Sequence, residues 1–180
     1  TATGGLLGQR ADERFPMCSS FKALLAAAVL ARARTDPALL QQQVRYSRAD
    51  LLAHSPVTER HVDGGMTVAA LCAATVQVSD NAAANLLLPR VGGPAGLTAY
   101  MRSIGDTQFR IDRNEPALNS SLPGDPRDTT TPRAMAESLR RLVLGDALHA
   151  AGRAQLAAWM RGTTTGAARI RAGVPPGWVV

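Results

Sequence analysis

Ser19 and Lys22 lie three positions apart, just before a run of almost entirely apolar residues at positions 23–33. So apolar a run predicts a helix buried inside a domain. Residues i and i+3 share one helix face, so the Lys22 amine can reach the Ser19 hydroxyl. The helix N-terminus also favours negative charge developing on that oxygen. The pair therefore predicts a serine nucleophile with a nearby base.

Lys22 is also the only lysine among the 20 basic residues, and the other nineteen are arginines. Arginine keeps its proton, whereas a desolvated lysine can lose one and act as a base. The alternative is that coding bias favoured arginine and left a single lysine by chance. The motif alone leaves both interpretations open, because short serine and lysine pairs are common.

Two later segments carry polar residues of catalytic type. The first is Ser79-Asp80-Asn81, and the second runs from Arg113 through Glu115 to Asn119. Glu115 and Asn119 are four apart, so on a helical turn both face one point. The first segment has a simpler alternative as a polar helix cap, which these three residue types favour.

Composition excludes several other classes of protein. The net charge is +6, but the arginines are scattered along the chain and only 4% of residues are aromatic, so no nucleic-acid partner is expected. No stretch reaches the roughly 18 apolar residues that span a membrane, so no membrane partner is expected either. The spacing of the cysteines and histidines matches no zinc site, so no metal or cofactor is expected. These residues are Cys18, Cys72, His54, His61 and His149.

The hydrophobic pattern predicts six helices that must position these residues. They are expected at about 20–34, 68–78, 82–88, 95–104, 132–144 and 153–161, with Thr67 and Thr131 as N-caps of the second and fifth. Residues 106–130 show neither a helical nor an alternating period. A loop of this length inside a compact domain is usually functional.

Taken together, the three segments resemble the class A serine β-lactamases. Phe15-Pro16-Met17 before the serine, the run at 123–132, and Ala172-Gly173 ahead of Gly177-Trp178 extend the resemblance over the whole chain. The resemblance implies an α/β protein, multi-domain α and β, with the β-lactamase/transpeptidase-like fold. Its helical domain would be 19–165, between sheet-domain remnants at 1–18 and 166–180.

The resemblance also implies a role for each matched residue. Ser19 would attack the lactam carbonyl, with Lys22 and Glu115 as the two candidate bases. Ser79 would relay a proton to the lactam nitrogen, while Glu115 and Asn119 would hold the hydrolytic water. Asn81 would bind the substrate's side-chain amide, His54 would stand at the rim of the cleft, and Arg169 would help to hold the substrate carboxylate. His54 remains open to interpretation as a surface residue.

Arg113 and Asp128 match the salt bridge that closes the omega-shaped loop of this family, 113–128 here. The alternative is a solvated surface pair of small energetic value. In some relatives a cysteine at the position of Cys18 pairs with one further along the chain than Val180. Cys72 is not that partner, so no Cys18–Cys72 disulfide is expected.

The family's Lys-Thr/Ser-Gly triplet should follow Val180, where Trp178-Val179-Val180 resembles the start of a strand. We therefore expect a complete helical domain and a partial sheet domain. Residues 1–180 by themselves are expected to have little turnover of substrate. The implied protein is a periplasmic or secreted monomer that hydrolyses penicillins and cephalosporins. Its signal peptide is expected outside the given sequence, and a C-terminal segment beyond Val180 is expected to complete it. The alternatives are a penicillin-binding transpeptidase or carboxypeptidase, or an inactive fragment or binding module.

Overall fold

A computed structural model describes residue 5 and residues 7–178. Within that part of the chain six α-helices form most of the regular structure: α1 Phe21–Ala33, α2 Val68–Gln77, α3 Asn81–Leu87, α4 Gly93–Ser103, α5 Pro132–Val143 and α6 Ala150–Arg161. The six predicted helices are confirmed, and most of their observed ends lie within one or two residues of the expected ones. The start of α6 lies three residues earlier, because the chain turns into the helix directly after His149.

Helix α1 lies at the centre of the helical layer and packs against α2, α3, α4 and α6. Leu24, Leu25 and Val29 are fully buried, as are its alanines at 26 and 27. Full burial of a leucine-sized side chain contributes about 1.5–3 kcal/mol. The uninterrupted apolar run is therefore explained by a helix that has neighbours on every side.

The N-caps expected at Thr67 and Thr131 are confirmed. The Thr67 side chain accepts a hydrogen bond from the Ala70 amide at 3.1 Å, and that of Thr131 accepts one from Ala134 at 3.2 Å. Each cap satisfies an amide that the first helical turn leaves unpaired.

Among residues 7–178, four two-residue strands accompany the helices. Strand β1, Phe15–Pro16, pairs antiparallel with β4, Thr129–Thr130, and β2, Gln43–Val44, pairs with β3, Met66–Thr67. The β1–β4 pair matters for the site, because it joins the segment before Ser19 to the end of the long loop at 106–130, called the Glu115 loop below.

Two sequence expectations fall partly beyond this description. Val179 and Val180, the last residues of the expected terminal strand, lie outside the described residues, and Trp178 belongs to no strand. The division at 1–18, 19–165 and 166–180 stays a prediction. In the described part of the chain, no helix is both long and apolar enough to cross a bilayer.

Candidate active site

Ser19 lies in a single 3-10 turn, Cys18–Ser20, that leads directly into α1. Its side chain is exposed and faces a cavity of about 390 Å³. Lys22, Ser79 and Arg169 line the same cavity, as do Met160 and Ile170. The cavity therefore brings the serine and lysine of the first motif to the serine of the second.

Lys22 is buried, with only 2% of the residue exposed, and lies among oxygen atoms. Its ammonium donates hydrogen bonds to the Ser79 carbonyl at 2.7 Å, to Ser79 Oγ at 3.1 Å and to Asn81 Oδ1 at 2.6 Å. Glu115 Oε1 lies 3.3 Å from Lys22 Nζ. Ser19 Oγ is not among these partners, because the 3-10 turn places Ser19 ahead of the helix and nearer oxygens surround the amine.

Burial lowers the pKa of Lys22, while the nearby charges of Glu115 and, more weakly, Asp80 raise it again. Desolvation is the largest of these effects, so the net direction is downward. A lysine in this condition gives up its proton more readily than one at the surface, which suits a base.

Ser79-Asp80-Asn81 serves as a helix cap and as a wall of the site at once. Asp80 is fully buried and caps α3 by accepting from the Ala83 amide at 2.9 Å. Its carboxylate also accepts from the amides of Val57 and Thr58, both at 3.0 Å. Ser79 has a φ of 62°, which turns its carbonyl towards Lys22. The interpretation as a helix cap is thus correct. The cap also orients Ser79 and Asn81, whose oxygen atoms accept hydrogen bonds from Lys22.

Glu115 carries a fully buried carboxylate between Lys22 and Asn119. The Asn119 amide donates to Glu115 Oε2 at 2.5 Å from a short 3-10 turn, Ala117–Asn119. Within the described residues, Glu115 Oε1 has no hydrogen-bond partner, although the lysine charge lies close by. A buried carboxylate oxygen with a free lone pair is available to a water or a hydroxyl.

The Glu115 loop is closed by the expected ion pair. Arg113 Nε lies 2.5 Å from Asp128 Oδ2, and Asp128 has only 1% of its side chain exposed. Asp128 Oδ1 accepts from the backbone amides of Asp112 at 2.7 Å and Arg113 at 3.0 Å. The solvated-pair alternative is therefore wrong for Asp128, whose acceptor capacity is used inside the protein.

The remaining predicted residues lie at the edges of the site. His54 is exposed, with a φ of 62°, and its Nε2 lies 2.9 Å from the Val78 carbonyl. It does not line the cavity that contains Ser19, whereas the exposed Arg169 does. Cys18 and Cys72 are both free thiols, and burial raises the pKa of Cys72.

Asn85 was missed by the sequence analysis. Its side-chain amide donates to the Glu115 carbonyl at 2.8 Å, and its Oδ1 accepts from the Glu115 amide at 3.0 Å. The Asn85 side chain therefore fixes the backbone of Glu115 through two hydrogen bonds. Its position four residues after Asn81 on α3 was the available signal, because i and i+4 share a face.

The family assignment rests on a comparison across the full chain. A model described as "Beta-lactamase enzyme family" matches residues 1–180. The chain therefore belongs to the β-lactamase enzyme family. Its similarity to class A members, expected from the three motifs, is confirmed by the solved structures and curated relatives that it matches.

Among solved structures, a β-lactamase from Desulfarculus baarsii is 61% identical with a TM-score of 0.97, over 99% of this chain and 66% of that one. The predicted fold class is thereby confirmed. Among curated relatives, "Carbapenem-hydrolyzing beta-lactamase KPC" of Klebsiella oxytoca is 58% identical over all of this chain and 61% of its own length. "Beta-lactamase L2" of Stenotrophomonas maltophilia is 57% identical over 100% of this chain and 59% of its own. The chain thus spans about three fifths of the length of these curated relatives.

Proposed function

We propose that the protein containing residues 1–180 hydrolyses the amide bond of β-lactams through an acyl-enzyme on Ser19. The observation that carries the proposal is the contact of Lys22 Nζ with Glu115 Oε1 at 3.3 Å, with Asn119 holding the second oxygen of the carboxylate. Acyl transfer followed by hydrolysis needs a nucleophile, a base and a positioned water. Ser19 is proposed as the nucleophile. Lys22 and Glu115 would supply the base, and Glu115 would position the water.

For acylation, the proton of Ser19 has two candidate acceptors. Lys22 lines the same cavity as Ser19, and burial lowers its pKa. Glu115 lies directly behind Lys22 and can take the proton through it or through a water. Ser79 Oγ, 3.1 Å from the same ammonium, would pass a proton to the departing lactam nitrogen. The Ser19 backbone N–H, at the start of the helix, would stabilise the developing oxyanion.

For deacylation, the Glu115 carboxylate is proposed to activate water. Its Oε1 has no hydrogen-bond partner in the described part of the chain, and its Oε2 is fixed by Asn119. A water held by Glu115 and Asn119 would attack the acyl carbon. This step separates a hydrolase from a transpeptidase or carboxypeptidase of the same serine-lysine type, which would retain the adduct.

Penicillins and cephalosporins are the proposed substrates. Arg169 lines the cavity and suits the substrate carboxylate, while Asn81 would bind the side-chain amide and His54 would contact the substrate at the rim. The relative named as carbapenem-hydrolysing adds carbapenems as a class to be assayed. We further propose that the protein acts as a monomer in the periplasm or after secretion, as its similarity to the class A β-lactamases implies.

The test is Glu115→Gln in the protein that contains residues 1–180, incubated with benzylpenicillin and followed by intact mass spectrometry. We expect a stoichiometric adduct that persists in this variant and clears in the unmodified protein. Ser19→Ala is the control and should form no adduct. Equal clearance in the glutamine variant would remove Glu115 from its role. A persistent adduct in the unmodified protein would favour the transpeptidase alternative, and no adduct at all would favour the non-enzymatic one.

A further inference from the structure

Arg14 lies outside the machinery described above, yet its guanidinium joins three points at the base of the Glu115 loop. Nη1 donates to the Gln108 carbonyl at 2.9 Å and to Thr129 Oγ1 at 3.1 Å. Nη2 donates to Gln108 Oε1 at 3.1 Å. Gln108 lies near the beginning of the loop and Thr129 near its end, so a single side chain bridges both ends.

The backbone around Arg14 brings the same elements together. Phe15 and Pro16 pair with Thr130 and Thr129 in the β1–β4 ladder. On the other side of Thr129, its carbonyl accepts from the Arg110 amide at 3.1 Å. The end of the loop therefore lies between its own beginning and the strand that leads to Ser19.

The same strand connects directly to the ion pair inside the loop. The Met17 amide, two residues before Ser19, donates to the Asp128 carbonyl at 3.0 Å. The Thr129 hydroxyl accepts from Arg14 and donates to the Pro126 carbonyl at 2.6 Å. The loop is thus closed from the inside by Arg113 and Asp128, and from the outside by Arg14.

We propose that Arg14 is a positioning residue that fixes the Glu115 loop relative to the turn that carries Ser19. The inference rests on the proposed function, since it assigns Arg14 to the step that Glu115 performs. Acylation has Lys22 as a candidate base besides Glu115, and Arg14 bonds neither Ser19, Lys22 nor Ser79, so acylation can proceed from Lys22 when the loop is loosened. Deacylation needs Glu115 and its water to lie accurately against the acyl group, and it is therefore the step that loosening the loop slows.

The planar fork of arginine is what allows this bridge. Its Nη1 and Nη2 groups reach two acceptors of Gln108 and one of Thr129 in a fixed geometry. A lysine ammonium at the same place would be a single point donor on a flexible stem. Arg14→Lys should therefore restore only part of what Arg14→Gln removes.

The experiment compares Arg14→Gln, Arg14→Lys and a matched control, Arg140→Gln, in the protein that contains residues 1–180. Arg140 is exposed, and in the part of the chain that the structure describes its side chain bonds only Glu137, on its own helix. Rapid-quench mass spectrometry with benzylpenicillin gives the rates of adduct formation and decay, and amide hydrogen exchange follows residues 108–115 and 126–130 without substrate.

We expect Arg14→Gln to slow adduct decay about tenfold while adduct formation changes by less than about twofold, which is the scale of losing a few partly exposed hydrogen bonds. Exchange in both loop segments should accelerate, Arg14→Lys should be intermediate, and Arg140→Gln should match the unmodified protein. Unchanged decay, or an equal loss in formation and decay, would overturn the proposal. If the unmodified protein forms no adduct, the proposed function fails, and the hydrogen-exchange measurement alone tests the role of Arg14. Equal exchange rates in Arg14→Gln and Arg140→Gln would then overturn the proposal that Arg14 holds the loop.

Discussion

At the scale of single residues, the chemistry is concentrated in how Lys22 and Glu115 are buried together. Neither charge could be held there alone, since an isolated buried ion is costly. Three hydrogen bonds from Lys22 and the Asn119 bond to Glu115 offset that cost.

The two hydrogen bonds between Asn85 and the Glu115 backbone lead to a prediction at the scale of single residues. Asn85→Ala leaves the Glu115 amide and carbonyl without the partners recorded at 3.0 and 2.8 Å. A buried group without its partner costs about 1–3 kcal/mol, so the loop should shift until both find water. We expect adduct decay to slow by about tenfold or more, measured by mass spectrometry after a penicillin pulse.

The control for Asn85 is Asn114→Ala. Asn114 directly precedes Glu115 and is exposed, and its recorded contact is the backbone bond from Leu118 to its carbonyl. Decay in Asn114→Ala should equal that of the unmodified protein. Similar decay in the two variants would show that the Asn85 bonds do not hold Glu115.

At the scale of elements, the site is assembled from two kinds of support. Helix α1 carries Lys22 on a buried face, and α3 carries Asn81, which is half-buried, at its first position. Glu115, in contrast, comes from a loop with one 3-10 turn, and tertiary contacts at its base must supply the rigidity that a helix would provide. The Arg113–Asp128 pair and Asp128's bonds to backbone amides do this from within.

A double-mutant cycle on Arg113→Met and Asp128→Asn tests that pair. Removing Arg113 alone leaves a 1%-exposed carboxylate without its cation, so the free energy of unfolding should fall by about 2–4 kcal/mol. The double variant should be less destabilised than the sum of the singles, with a coupling of at least about 1 kcal/mol in urea titrations. Strict additivity would mean that the two charges do not stabilise each other.

At the scale of the whole molecule, acid stability follows from carboxylates held by arginine. Hydrogen bonds from Arg127 hold the pKa of Asp125 at about 2, and those from Arg140 and Arg141 hold the pKa of Glu137 at about 2. Both values lie below the ordinary 3.8 and 4.5. In acid the unfolded chain therefore binds protons before the folded one does, and folding loses this contribution as the pH falls.

We expect the free energy of unfolding to decline from about pH 4.5 down to about pH 2, with this contribution fully present above pH 4.5. The double variant Asp125→Asn with Glu137→Gln should show a shallower decline over the same window in urea titrations. Because the partner arginines Arg127 and Arg140 are exposed, the difference should shrink at high salt. Parallel curves for the two proteins would contradict the assignment.

The sequence by itself determined the helices and the identity of the catalytic candidates. The apolar run of α1, the Thr67 and Thr131 caps, and the serine, lysine and glutamate motifs are local patterns set by periodicity, capping and residue chemistry. Such patterns can be recognised without knowledge of the fold, because each depends only on residues within a few positions in the sequence.

Apart from the Arg113–Asp128 and Glu115–Asn119 contacts, which the motifs indicated, the tertiary structure alone decided which side chains of the site contact each other. The Lys22 bonds to Ser79 and Asn81 join residues 57 and 59 positions apart, Asn85 reaches Glu115 across 30, and Arg14 reaches Gln108 and Thr129 across 94 and 115. No local pattern encodes such pairs, because they form only when packing of the helices closes the chain on itself. For the same reason Lys22 bonds Ser79 and Asn81 rather than Ser19, its neighbour in sequence.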